Sequence, residues 1–131
     1  MTSTQPMVVV LCTVPDSLDQ AELLASKMVE RRLAACVNLI PQVRSLFRWD
    51  GAVAREAELL MMIKTTEEMV VHLTSFLQEH HPYDVPEVVA LPAQAALPYG
   101  TWVQDSVRDE KGDKVSSLQE SSSTAILSQD E

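Results

Sequence analysis

The sequence predicts an α+β fold: a ferredoxin-like βαββαβ antiparallel sheet with helices on one face, a long central hairpin and a short C-terminal helix. Three observations lead there. Apolar runs of strand character alternate with helical stripes in the order β-α-β-β-α-β, the split βαβ pattern. Two long apolar arms between Leu33 and Thr65 meet at Trp49-Asp50-Gly51, and Asp-Gly between alternating apolar runs is the strongest short-range hairpin signal. Pro82, Pro86 and Pro92 then punctuate the chain, leaving one short strand and one short helix to follow.

Met7 to Thr13 is a continuous apolar run, consistent with a strand buried on both faces. Pro15-Asp16-Ser17 ends it, and Ser17 with Gln20 has capping-box spacing. Ala21, Leu24, Ala25, Met28 and Val29 repeat at helical spacing, which predicts a helix over 17–32 with one stripe on the sheet. Thr65 with Glu68 is a second capping-box candidate. Met69, Leu73, Phe76 and Leu77 carry the next helix to about His80. Glu87 to Leu91 predicts a short strand closed by Pro92. Leu97-Pro98 opens the last helix, with proline in its first turn.

The hairpin is the informative element. Leu33 to Trp49 is 17 residues, roughly 56 Å if straight at ~3.3 Å per residue. A domain of this size is about 35 Å across, so a straight hairpin overshoots its own core. Pro41 cannot donate to a ladder, which predicts a bulge, a bend or an edge position there. An unpaired ribbon carrying Leu46, Phe47 and Trp49 would be an aggregation hazard. The expectation is an obligate oligomer whose subunits pair with it; the alternative is a hairpin that bends at Pro41 onto its own chain.

The chain has 131 residues, 46% of them apolar, enough for one domain with a real core. The domain is expected over 1–108, followed at 109–131 by a serine-rich, acidic tail expected to be disordered. A formal charge of −9 argues against nucleic acid and anionic membrane as partners. Cys12 and Cys36 lie in strand-like runs without a CxxC, which suits buried free thiols in a reducing compartment. The N-terminal run is too short for a membrane span and lacks a basic n-region, so a cytoplasmic location is expected.

No catalytic signature is present: no GxSxG, P-loop, HExxH or dinucleotide fingerprint. Three glycines leave no loop to cradle phosphate. The expectation is a protein that is not an enzyme. Cys12, Cys36, His72, His80, His81, Asp84 and Glu87 are the side chains that could ligate a metal, and imidazole with thiolate suits copper or zinc. Adjacent histidines diverge, however, and the spacing encloses no metal locally, so a site would be weak or assembled across subunits. His80 read blandly is a helix C-terminal residue and Cys12 a small core hydrophobe. Lys64, Tyr83, Glu87 and Trp102 could line an inter-subunit cleft for a small polar ligand; equally, the two aromatics are core residues with satisfied polar tips. Arg44, Arg48, Arg55, Glu56 and Glu58 form a solvated or inter-subunit salt-bridge face.

The blocks VVVLCTVPD, RRLAACVNLIP, SLFRW-DG, ELLMMIKT and HPYDVPEVVALP, with the closing Tyr99 and Trp102, resemble in order and spacing the CutA family of divalent-cation tolerance proteins. The match runs from about Met7 to Val107. The resemblance implies a ferredoxin-like subunit in a tight homotrimer with long strands exchanged between subunits. It implies a cytoplasmic protein linked to tolerance of copper and other divalent cations. The copper ligands assigned in bacterial relatives, in the LCT block and the paired histidines of HHPY, fall here on Cys12, His80 and His81. The family also resembles the PII signalling trimers, so a small-ligand-sensing or protein-scaffolding trimer is the alternative function.

Overall fold

The computed structural model describes residues 3–107. The expected tail at 109–131 lies outside the described residues. The elements run β1 (Thr4–Pro15), α1 (Leu18–Glu30), β2 (Cys36–Trp49), β3 (Ala52–Thr65), a 3₁₀ turn at Glu67–Met69, α2 (Val70–His80), β4 (Val89–Ala96) and α3 (Leu97–Ser106). The four strands form one sheet in the order β2-β3-β1-β4, with every pairing antiparallel. That is the predicted fold.

The period of two divides the sheet cleanly. Val8, Val10, Cys12 and Val14 of β1 align with Thr65, Ile63, Met61 and Leu59 of β3, and all are buried. This face carries α1 through Ala21, Ala25 and Met28, and α2 through Leu73, Phe76 and Leu77. The opposite face presents Val9, Leu11 and Thr13 beside Leu60, Met62 and Lys64, all half-buried. α3 covers one end of that second face, so the third helix lies apart from the first two. Gly100 permits the approach. A Cβ there would stand 2.4 Å from Gln5 Cβ and 3.4 Å from Ala95 Cβ. Gly100→Ala is therefore expected to cost about 1–3 kcal/mol through overpacking, read as a lower denaturant midpoint with an unchanged slope.

The hairpin follows its local chemistry. Asp50 (φ 54°) and Gly51 (φ 80°) both take positive φ, the type I′ turn that matches strand twist. Trp49 pairs with Ala52 across it. The register slips between Ile40 and Val43, a bulge at Pro41-Gln42 with Gln42 at φ 65°. β2 is also an edge strand, so Pro41 satisfies two of the expected outcomes together. β1 pairs with β3 only from Glu58 to Thr65. Residues 44–57 thus form a two-stranded ribbon that leaves the four-stranded sheet. The β2–β3 pairing continues to the tip, and Leu46, Phe47, Trp49 and Val53 there are exposed, so the ribbon does not pack back onto its own chain.

Three local expectations need correcting. β4 does not stop at Pro92 but runs through it to Ala96, with Pro92 aligned to Val8. An edge strand has one unpaired side, so a residue without an N–H is tolerated there. The Thr65–Glu68 capping box does not form. Thr65 Oγ1 donates instead to the Leu33 carbonyl at 2.7 Å, and Thr66 takes the N-cap position without a side-chain bond. A buried hydroxyl beside an open loop carbonyl is better used there than at a cap. The helix expected to start near Thr65 accordingly begins as a 3₁₀ turn and becomes α-helical at Val70. At α1 the cap is as expected: Ser17 Oγ accepts from the Gln20 N–H at 3.3 Å.

Candidate functional site

The chemistry-bearing residues collect where β1 ends, around the backbone carbonyl of Thr13. His81 caps the C-terminus of α2 and its N–H bonds the Leu77 carbonyl. Its ring is then held at both nitrogens. The Tyr83 N–H donates to Nδ1 at 3.0 Å, which leaves the ring proton on Nε2. Nε2 lies 2.8 Å from the Thr13 carbonyl oxygen and donates to it. The Cys12 thiol approaches the same oxygen at 3.8 Å. Thr13 Oγ1 reaches Glu87 at 3.3 Å, and the Tyr83 hydroxyl donates to Glu58 Oε2 at 2.7 Å. Glu58 is only 6% exposed.

Cys12 and His81 therefore meet at one carbonyl, as neighbours in a hydrogen-bonded unit. His80 is not brought to them. Its ring packs on Phe76 at 4.4 Å, its Nε2 lies 3.8 Å from Glu79, and it lines a groove of about 230 Å³ between α1 and the end of β1. Cys36 aligns with Lys64 on the far face, Asp84 is exposed, and His72 sits half-buried on α2. Among the described residues, no group of three His, Cys, Asp or Glu side chains is placed to hold a metal ion.

The donor set of a single chain does not fit a copper centre. Burial, with Glu87 and Glu58 adding negative charge nearby, pushes the Cys12 thiol up to about 12. A metal needs the thiolate. Both His81 nitrogens are already bonded, so neither lone pair is free for a ligand bond. Coordination at these residues would require the Thr13 unit to come apart.

The raised Cys12 thiol has a stability consequence with a definite sign. The folded state holds this proton more tightly than the unfolded state, whose thiol titrates near its ordinary value. The contribution is complete below about pH 9 and is lost as pH rises toward 12. Between pH 8 and pH 10 the wild type should lose about 1.4 kcal/mol more unfolding free energy than Cys12→Ala. Urea titrations at the two pH values measure the difference; equal losses in both proteins would contradict it. The Tyr83 phenol is also shifted upward, by burial and by its bond to Glu58, and acts with the same sign.

The four cleft residues divide between the two ends of the open sheet face. Tyr83 and Glu87 lie at the Thr13 end. Lys64 aligns with Val9, and its Nζ stands 6.0 Å from the Tyr99 ring, which in turn lies 5.5 Å from Trp102. The two ends are six residues apart along β3, from Glu58 to Lys64, or ~20 Å. One chain therefore does not bring the four together. Thr13 and Glu58 belong to the site and were not singled out from sequence as members of it. The one available signal was Glu58, a carboxylate on the strand face that turns apolar at Leu60.

The comparisons with known proteins agree with this architecture. The model of the family described as "CutA1 divalent ion tolerance protein" matches residues 8–106. Protein CutA of Homo sapiens is 50% identical over 93 residues, covering 68% of this chain and 52% of that protein. The chain thus spans about half the length of that curated relative. The solved CutA1 structure from Oryza sativa superposes with a TM-score of 0.76 at 40% identity, covering 80% of this chain and 96% of that one. The divalent cation tolerance protein from Thermus thermophilus superposes with a TM-score of 0.74 at 42% identity, over 79% of this chain and 100% of that one. With the family model spanning β1 to α3 and the same βαββαβ sheet present, the chain belongs to the CutA1 divalent ion tolerance protein family.

Proposed function

We propose that the protein works as a homotrimer in divalent-cation tolerance, a cytoplasmic, non-catalytic binding protein that takes copper or another divalent cation weakly, at sites completed between subunits. One observation supports the assembly above all others. The ribbon at 44–57 leaves its own sheet carrying exposed Leu46, Phe47, Trp49 and Val53. Apolar surface on an unpaired ribbon favours burial by another chain. The half-covered second face of the sheet, with Leu60 and Met62, adds to it. Among the described residues no helix is long and apolar enough to cross a membrane.

Sedimentation equilibrium from nanomolar to micromolar concentration tests the assembly. The expected mass is three times the chain mass of 14.5 kDa, and a folded monomer throughout would overturn the proposal. Copper titration tests the metal reading separately. Binding is expected at about 1 μM or weaker, with Cys12→Ala/His81→Ala indistinguishable from the wild type. Tight binding that the double variant abolishes would place the ion on those side chains instead.

A further inference from the structure

We infer that Lys64 of each subunit is the counter-charge of an acid site on the next subunit, seated against Glu58 and Glu87 beside the Tyr83 hydroxyl. The inference rests on the ring-shaped assembly proposed above and names the contact that closes it.

Glu58 is a carboxylate 6% exposed with one hydrogen bond, from Tyr83, and Glu87 lies beside it through Thr13. Thr13 aligns with Leu60, which places Glu58 diagonally across from it on the same sheet face. Burying a carboxylate is costly unless a cation or several donors face it. Among the described residues neither Glu58 nor Glu87 has an ion-pair partner, and Lys64 has none either. Lys64 stands on the same face at its other end. Its cation–π approach to Tyr99, at 6.0 Å, is at the limit of that interaction and uses none of its donors.

The separation of ~20 Å along β3 exceeds what a lysine side chain can bridge, so the two ends cannot meet within one chain. A closed ring has heterologous contacts, in which one patch meets a different, complementary patch on its neighbour. This face is built that way. It is anionic at one end and cationic at the other, with Val9, Leu11, Leu60 and Met62 between. Head-to-tail packing of these faces sets the partner subunit's Lys64 on the Glu58–Glu87 pair while burying the apolar band. The Tyr83 bond to Glu58 holds that carboxylate in place for the lysine.

Sedimentation velocity on charge-reversed full-length chains tests the contact. Lys64→Glu and Glu87→Lys should each raise the concentration at half-assembly by at least about tenfold, the scale of a broken interfacial charge pair. Glu87 is exposed within the chain, so its reversal leaves the subunit fold intact. The double variant, Lys64→Glu/Glu87→Lys, should return to within about threefold of wild type. Because the two positions are far apart in one chain, such recovery can only be intermolecular. Lys64→Met should assemble with a flatter dependence on sodium chloride than the wild type. Single variants that assemble as wild type does, or a double variant no better than the worse single, would overturn the contact while leaving the trimer standing. A monomeric wild type would overturn both.

Discussion

Phe47→Ser/Trp49→Ser is expected to convert the proposed trimer to folded monomers. The two rings sit next to the turn, on the ribbon face that continues the open side of the sheet. Trp49 is 70% exposed and Phe47 40% exposed in the isolated chain. Neither ring belongs to the subunit core, so removing them costs the core nothing. An aromatic side chain buries about 150–250 Å² when covered, and apolar area contributes about 25 cal/mol per Å². With roughly half of each ring left to bury, the pair would supply about 4–6 kcal/mol to each proposed interface. A shift of that size raises the dissociation concentration by more than about a hundredfold. Asp50 and Gly51 are untouched, so the type I′ turn and the register down to Ile40 persist. Sedimentation gives the mass and far-ultraviolet circular dichroism the fold. A variant that remains trimeric at the same dilution would show that the ribbon tip is not an interface.

What could be read from the sequence, and what could not, divides along chain distance. The hairpin was legible because its determinants are adjacent: Asp50-Gly51 dictates the turn, and Pro41 dictates a fault in the ladder. The α1 cap was legible because Ser17 and Gln20 are three residues apart. The Thr65–Glu68 box had the same spacing and failed, because Thr65 found the Leu33 carbonyl, a partner 32 residues away. Pro92 was misread as a stop because strand order, which makes β4 an edge, is not a local property. The candidate site shows the same division. Cys12 and His81 do converge, but on a backbone oxygen. The Tyr83–Glu58 bond spans 25 residues and leaves no trace in local spacing. Lys64 lies on a strand and Trp102 on a helix as expected, Glu87 falls in the loop before β4 instead of opening that strand, and the sheet register sets the four at opposite ends of one face.

Met61→Ala and Met62→Ala, adjacent in sequence and alike in chemistry, should act on two different equilibria. Met61 is fully buried against the helices, among Cys12, Leu59, Ile63 and Leu73. Truncating it there removes packed surface and leaves a cavity, which costs about 2–5 kcal/mol. Met62 points to the other face, beside Leu60 and Lys64, and is half-buried by its own chain. In the Phe47→Ser/Trp49→Ser monomer, Met61→Ala should therefore lower the unfolding free energy by about 2–5 kcal/mol. Met62→Ala should lower it by less than about 1 kcal/mol. In the wild-type background, proposed to assemble, the order is expected to reverse for the other measurement: Met62→Ala raises the dissociation concentration more than Met61→Ala does. The comparison needs the monomeric background, because the stability of an obligate oligomer is inseparable from protomer concentration. Equal costs for the two substitutions in the monomer would mean that both faces of β3 are core. The open face would then have no role as a subunit interface, and the surface on which the trimer, the acid site and its lysine all depend would be lost with it.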